Sequence, residues 1–191
     1  MSLSVETAPS FRELGADEHT AFYEHLLRLG AASRYMRFGH AVGEEFLKSY
    51  CQSIGRLNIV TYGAFVDGDL RAVAELRRVS DLCPTDGEIG LTVEDDWQDA
   101  GIGTELLAHV QATARHRGIE TIHMICSRKN YRMRSVAQKV RAQVKPLANQ
   151  IVGQIGGQIG GFDADAAQNG AETPLNHFYQ DTDFVTFSLE V

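Results

Sequence analysis

Cysteine, proline and tryptophan are all scarce in this chain, and the way they are spaced closes off whole classes of protein. Its 191 residues hold three cysteines, four prolines and one tryptophan. Cys51, Cys83 and Cys126 are odd in number and stand in no CxxC spacing, so neither a disulfide framework nor a zinc knuckle is suggested. A reducing cytoplasm is the compartment they suit. No segment approaches the roughly 18 consecutive apolar residues of a membrane helix, and the opening MSLSVETAPSFREL has no charged stretch followed by an apolar one. The expectation is a soluble, unexported protein with no membrane partner. Clustered lysine and arginine are missing too, and the formal charge is −7; a phosphate backbone is a poor partner for such a chain, so nucleic acid is not expected. A cationic or amine-bearing substrate suits that field better. The seven histidines, His109 and His116 among them, form no HxxxH or His/Cys cluster, so no metal is expected.

What is present is the material of one core. With 43% apolar and 23% charged residues, the chain is long enough to bury a core as a single domain over residues 1–191, and a small α/β (α+β) protein fits best. A first strand is read in SVETAPSFREL. ADEHTAFYEHLLRLG follows with Phe22, His25, Leu26 and Leu29 at helical spacing, Asp17 as N-cap and Gly30 as stop. VGEEFLKSYCQSIG places Phe46, Leu47 and Tyr50 on one face of a second helix, and AASRYMRFGH between the two is left unassigned. Two apolar runs then meet at Asp67-Gly68, a dipeptide that accepts the positive φ of a tight hairpin turn. GEIGLTVED reads as a strand, TELLAHVQATARHRG as a helix ended by Gly118, TIHMICSR as a strand, and YRMRSVAQKV as a helix with Met133, Val136, Ala137 and Val140 on one face. FVTFSLEV closes the chain. The predicted order is β-α-α-β-β-β-α-β-α-β-β.

Between residues 141 and 182 the periodic signal fades. QIVGQIGGQIGG and FDADAAQNGAETP read as a glycine-rich loop or hairpin extension over residues 151–174. A flap over a substrate cleft is the sharper alternative, and the sequence assigns no role to the Gly-rich residues 153–161.

DDWQDAGIGTELL joins a predicted strand to a predicted helix. A glycine-rich turn there offers backbone N–H groups at a helix N-terminus, where they attract phosphate. The dinucleotide fingerprint would need glycine at Leu106, and no Lys-Ser or Lys-Thr follows Gly103, which disfavours both an oxidoreductase and a P-loop protein. Gln98-Asp99-Ala100-Gly101-Ile102-Gly103 does resemble the Gln/Arg-x-x-Gly-x-Gly/Ala motif with which the GNAT superfamily of N-acyltransferases holds the diphosphate of acyl-CoA. GIETIHMICSRKNYRM is similar to that family's next strand and helix start. SRYMRF and EIGLTVEDDWQDAGIGTELL resemble the GNAT domains of bacterial protein acetyltransferases, and the likeness runs from about residue 8 to residue 145.

The resemblance implies a GNAT fold, a mixed central sheet flanked by helices, that transfers an acetyl or acyl group from acetyl-CoA, a co-substrate, to a primary amine. The acceptor is a protein lysine or a small amine, and a homodimer is allowed. It implies a diphosphate cradle at Gln98, Asp99, Ala100, Gly101, Ile102, Gly103 and Thr104. Leu91, Thr92 and Val93 would supply main-chain bonds to the thioester and pantetheine, and Asn130 would hold the pantetheine or a water, or else serve only as an N-cap. Glu88 corresponds to the general base of many relatives, a need set by the amine's pKa of roughly 10.4; otherwise it is a strand-end charge. Two departures stand out. Ala137 replaces the tyrosine that many relatives use to protonate the leaving thiolate, and Arg141 stands where a glycine often ends the helix, which puts the pairing of the C-terminal strands in question. A non-catalytic acyl-CoA-binding or regulatory module is the competing reading. Arg34 and Arg37 in SRYMRF are read as solvated arginines covering apolar surface, with contact to substrate or CoA phosphate as the alternative.

Overall fold

The computed structural model describes residues 8–52, 54, 55, 59–80, 83–145 and 184–191. The glycine-rich segment read as a loop or flap lies outside them. Among the described residues, seven strands form one sheet in the order β1-β2-β3-β4-β5-β7-β6: β1 (Ser10–Glu13), β2 (Ile59–Val66), β3 (Asp69–Ser80), β4 (Cys83–Val93), β5 (Thr121–Ser127), β6 (Gln143–Lys145) and β7 (Phe184–Glu190). Every neighbouring pair is antiparallel except β4 and β5. The predicted hairpin is there, with Asp67 at φ 53° and Gly68 at φ 87° closing β2 onto β3, the doubly left-handed turn that matches strand twist.

Among the described residues, five α-helices cover the two faces: α1 (His19–Arg28), α2 (Ala31–Phe38), α3 (Glu44–Cys51), α4 (Ile102–His116) and α5 (Tyr131–Lys139). Side chains alternate across a strand, so Ala72, Ala74 and Leu76 of β3 join one core with Leu106, Leu107 and Val110 of α4, Met124 of β5 and Ala137 of α5. Val73 turns the other way, into a second core with Phe22 and Leu26 of α1, Phe38 of α2 and Leu47 of α3. No described helix is long and apolar enough to cross a membrane.

Three helices, rather than the two expected, precede β2. Within α2 only Phe38 is buried, so its sequence carries no apolar stripe to announce it. Gly30 follows Leu29, the C-cap of α1, and is at the same time the N-cap of α2. Asp17 lies in a short 3-10 turn, and Glu18 takes the N-cap position of α1. Arg141 holds a left-handed φ of 59° after α5, a conformation glycine adopts without strain. The C-terminal strands pair all the same, with β7 lying between β5 and β6.

Candidate active site

Parallel pairing of β4 with β5 runs through only three residue pairs, Asp86 with Thr121, Gly87 with Ile122 and Glu88 with His123. Beyond Glu88 no further pair joins the two strands. A cleft of about 350 Å³ opens there, lined by Glu88 to Val93 of β4, by the turn through Gln98 to Thr104, by Ile125 and Cys126 of β5, by Asn130 to Met133 at the start of α5, and by one side of α2. Every residue expected to act on acyl-CoA lines this cleft except Ala100, which lies within the same turn.

The turn that begins at Asp95 fastens α2 to the start of α4. Asp95 accepts hydrogen bonds from the Gly30 N–H at 2.7 Å and the Ser33 hydroxyl at 2.6 Å, and these hold its carboxyl below the usual range. Gln98 donates through Nε2 to the Val93 carbonyl at 2.9 Å and to Ser33 Oγ at 3.3 Å. Its side chain thus braces the turn. Asp99 and Gly101 both have positive φ, 63° and 87°, and a β-carbon on Gly101 would meet nothing within 4 Å. Gly101 is therefore required by its conformation, and it leaves open space above the first turn of α4, whose leading N–H groups have no partner inside the helix. Gly103 has a different reason: a β-carbon there would come within 3.3 Å of Leu91 Cδ2, so its absence lets α4 lie close on β4. Lys129, Arg132 and Lys139 line the same cleft, with Arg132 3.2 Å from Asp99. A phosphate would find cations and free backbone donors together.

Glu88 is 7% exposed. Burial pushes its carboxyl up to about 8, against the pull of Arg37 and Arg77 and with a further push from Glu75. Glu75 itself is only 2% exposed. Burial opposes its ionisation, but Arg77 and Arg37, together with a 2.6 Å hydrogen bond from the Tyr50 hydroxyl, outweigh that and hold it below the usual carboxylate range. Arg37 Nη2 donates to both Glu75 Oε2 and Tyr50 Oη at 2.7 Å, and Arg77 Nη2 reaches Glu75 Oε1 at 3.2 Å. Arg37 is thus no solvated surface arginine; its side chain is 8% exposed.

Thr92 has a side-chain role that sequence reasoning missed. Its Oγ1 lies 2.8 Å from His25 Nε2, and His25 Nδ1 lies 3.2 Å from Glu94 Oε1. Glu94 also accepts from Arg28 at 2.8 Å and Arg71 at 3.0 Å. Burial lowers the His25 pKa; the neutral ring fits the network with Nδ1–H donating to Glu94 and Nε2 accepting from Thr92. Asn130 caps α5, its Oδ1 accepting from the Met133 N–H at 3.0 Å. Ala137 is fully buried in the α4 core and supplies no proton. Cys126 lines the cleft with a thiol that burial pushes up to about 11. No group of three potential metal ligands occurs among the described residues.

The fork between β4 and β5, with the buried Glu88 carboxyl at its apex, thus opens beside the glycine turn that starts α4. The sequence profile of the Acetyltransferase (GNAT) family matches residues 21–141, and the chain belongs to that family. Its fold is similar to the GNAT domain of S. lividans PAT, at 16% identity and a TM-score of 0.70 over 95% of this chain and 89% of that one. It is also similar to RimL, a ribosomal L7/L12 alpha-N-protein acetyltransferase in complex with coenzyme A, at 14% identity and a TM-score of 0.64 over 98% and 96% of the two chains. A third similar structure is yncA from Salmonella typhimurium with its cofactor acetyl-CoA, at 14% identity and a TM-score of 0.62 over 73% and 82%. No curated protein matches the sequence significantly.

Proposed function

We propose that this protein is an N-acetyltransferase that moves an acetyl group from acetyl-CoA to a primary amine by direct attack, with Glu88 as general base. The observation that carries the reading is the buried Glu88 carboxyl at the point where β4 and β5 part. The carboxylate takes a proton from the ammonium, directly or through a water, and the freed amine attacks the thioester carbonyl. The C–N bond forms, the C–S bond breaks, and the amine nitrogen releases its second proton to solvent. The departing CoA thiolate takes a proton from solvent, because Ala137 has none to give; a thiol-like pKa makes this leaving group tolerable. Gln98 to Thr104 cradle the diphosphate at the start of α4, and the Leu91, Thr92 and Val93 backbone together with Asn130 hold the pantetheine and carbonyl. The reading places the reaction in the cytoplasm.

Calorimetric titration with acetyl-CoA, with NADH as comparison, is the first test. Micromolar binding of acetyl-CoA that is lost in Gly101→Glu, followed by CoA release with an amine, is the expected result. No binding would remove the cradle, and binding without CoA release from any amine would leave a regulatory module instead.

A further inference from the structure

Among the described residues, Arg37 is the one strong cation in the wall of this cleft whose side chain is more than nine-tenths buried, and half of its guanidinium is unused. Both of its hydrogen bonds leave from Nη2. No hydrogen bond from Nε or Nη1 to another described residue accompanies them, so three N–H bonds remain for a ligand or water. The group is held firmly. Its guanidinium carbon lies 5.2 Å from the centre of the Phe38 ring and 5.7 Å from that of Tyr50, and it rests over Gly90 in the space a β-carbon would take.

Arg37 spends only Nη2 on the Glu75 carboxylate, which leaves the other edge of its guanidinium for an anion. Glu88 is the other acidic group of the cluster, and the proposed reaction requires it to receive a proton. Gly90, beneath Arg37, follows Glu88 by two positions on the same face of β4, roughly 7 Å along an extended strand. That is about the reach of one α-amino acid, with its amine toward Glu88 and its carboxylate toward Arg37. The same side of α2 supplies Ala32 and Met36 beside Ser33, and Leu29 lies just before it, so much of the adjoining wall is apolar.

We infer that Arg37 is a specificity residue that binds the carboxylate of the acceptor, making the preferred substrate a free α-amino acid with an apolar side chain rather than a protein lysine or polyamine. This rests on the transferase reading above and narrows its acceptor. The overall negative charge of the chain pointed to a cation; the local charge within the cleft points to a zwitterion.

The test compares L-leucine with L-leucinamide, which differ only in the carboxylate, by CoA release from wild-type protein with acetyl-CoA. Binding of N-acetyl-L-leucine and its amide to the CoA-saturated protein is measured alongside by calorimetry, a readout that needs no turnover. Leucine is expected to exceed leucinamide at least tenfold in kcat/KM, and the acid product to bind at least tenfold tighter than its amide, as loss of a charge-assisted hydrogen bond implies. In Arg37→Lys the preference for leucine over leucinamide in kcat/KM is expected to fall about tenfold. Equal or better use of leucinamide, or failure of both products to bind, overturns the assignment. If succinyl-CoA outruns acetyl-CoA with leucinamide, the carboxylate belongs to the acyl donor, and the acceptor assignment is also overturned. Turnover of leucinamide or a polyamine alone would leave the transferase reading standing while removing this one. Loss of acetyl-CoA binding would remove both.

Discussion

Gly90 gives up its side-chain space to the guanidinium of Arg37, which crosses it to reach Glu75 on the neighbouring strand. Glu75 and Gly90 are directly paired in the β3–β4 ladder, so the missing β-carbon lies beside a buried ion pair. Gly90→Ala is expected to displace Arg37 and weaken that pair. A loss of about 1–3 kcal/mol, as overpacking and network disruption commonly cost, should appear in urea denaturation. An unchanged midpoint would mean that Arg37 can move aside freely.

Glu88→Gln separates chemistry from binding. A general base typically contributes 10²–10⁴ in rate, so turnover measured at pH 9 should fall by about that factor while acetyl-CoA affinity stays within about threefold. The wild-type profile carries the same signature, since Glu88 must be ionised to act and its carboxyl is pushed up to about 8. The rate falls as pH drops below that value, and the Gln variant lacks this limb. A profile flat from pH 6 to 9 would exclude Glu88 from the role.

Stability should respond to the same group with a definite sign. Burial raises the folded-state pKa of Glu88 from 4.5 to about 8, so between these values the folded protein holds a proton that the unfolded chain has released. Its contribution to stability is complete below pH 4.5 and is lost as pH rises through about 8. Relative to wild type, Glu88→Gln should therefore be more stable at pH 9 than at pH 5. Parallel melting curves for the two proteins across that range would contradict this.

Thr92 tests a division of labour within one residue. Thr92→Val leaves the β4 backbone intact but removes the partner of the buried His25 Nε2, a loss of about 1–3 kcal/mol for an unsatisfied buried group. Acetyl-CoA affinity should remain within about threefold if only the main chain of Thr92 meets the ligand. A large loss of affinity without a fall in Tm would reverse that assignment.

How much of this was legible in the sequence differs from element to element. The Asp67-Gly68 hairpin, the α4 and α5 stripes and the turn through Gly101 could all be read, because each is coded within a few consecutive residues. His25 could be placed on the buried face of α1 by its spacing with Phe22 and Leu26, but not joined to Thr92, 67 residues away. Glu75 and Arg77 broke the apolar run of β3 without explanation, since the pairs they form depend on strand register and on α2. That helix escaped notice because a single buried Phe38 makes no periodic pattern. Arg37 was misread for the same reason: on a segment of unknown structure, an arginine next to aromatics looks like any solvated one.

The three pairs between β4 and β5 also give the sheet a seam. On either side stands an antiparallel block, β1 to β4 and β5 with β7 and β6, each hydrogen-bonded far more extensively within itself than to the other. Blocks joined in this way can open separately, so amide exchange in Thr121–Ser127 need not follow that in Ile59–Val66. A substrate lying in the seam touches both, and its binding would make their exchange rates fall together. The gap would then govern how cooperatively the two halves of the protein unfold.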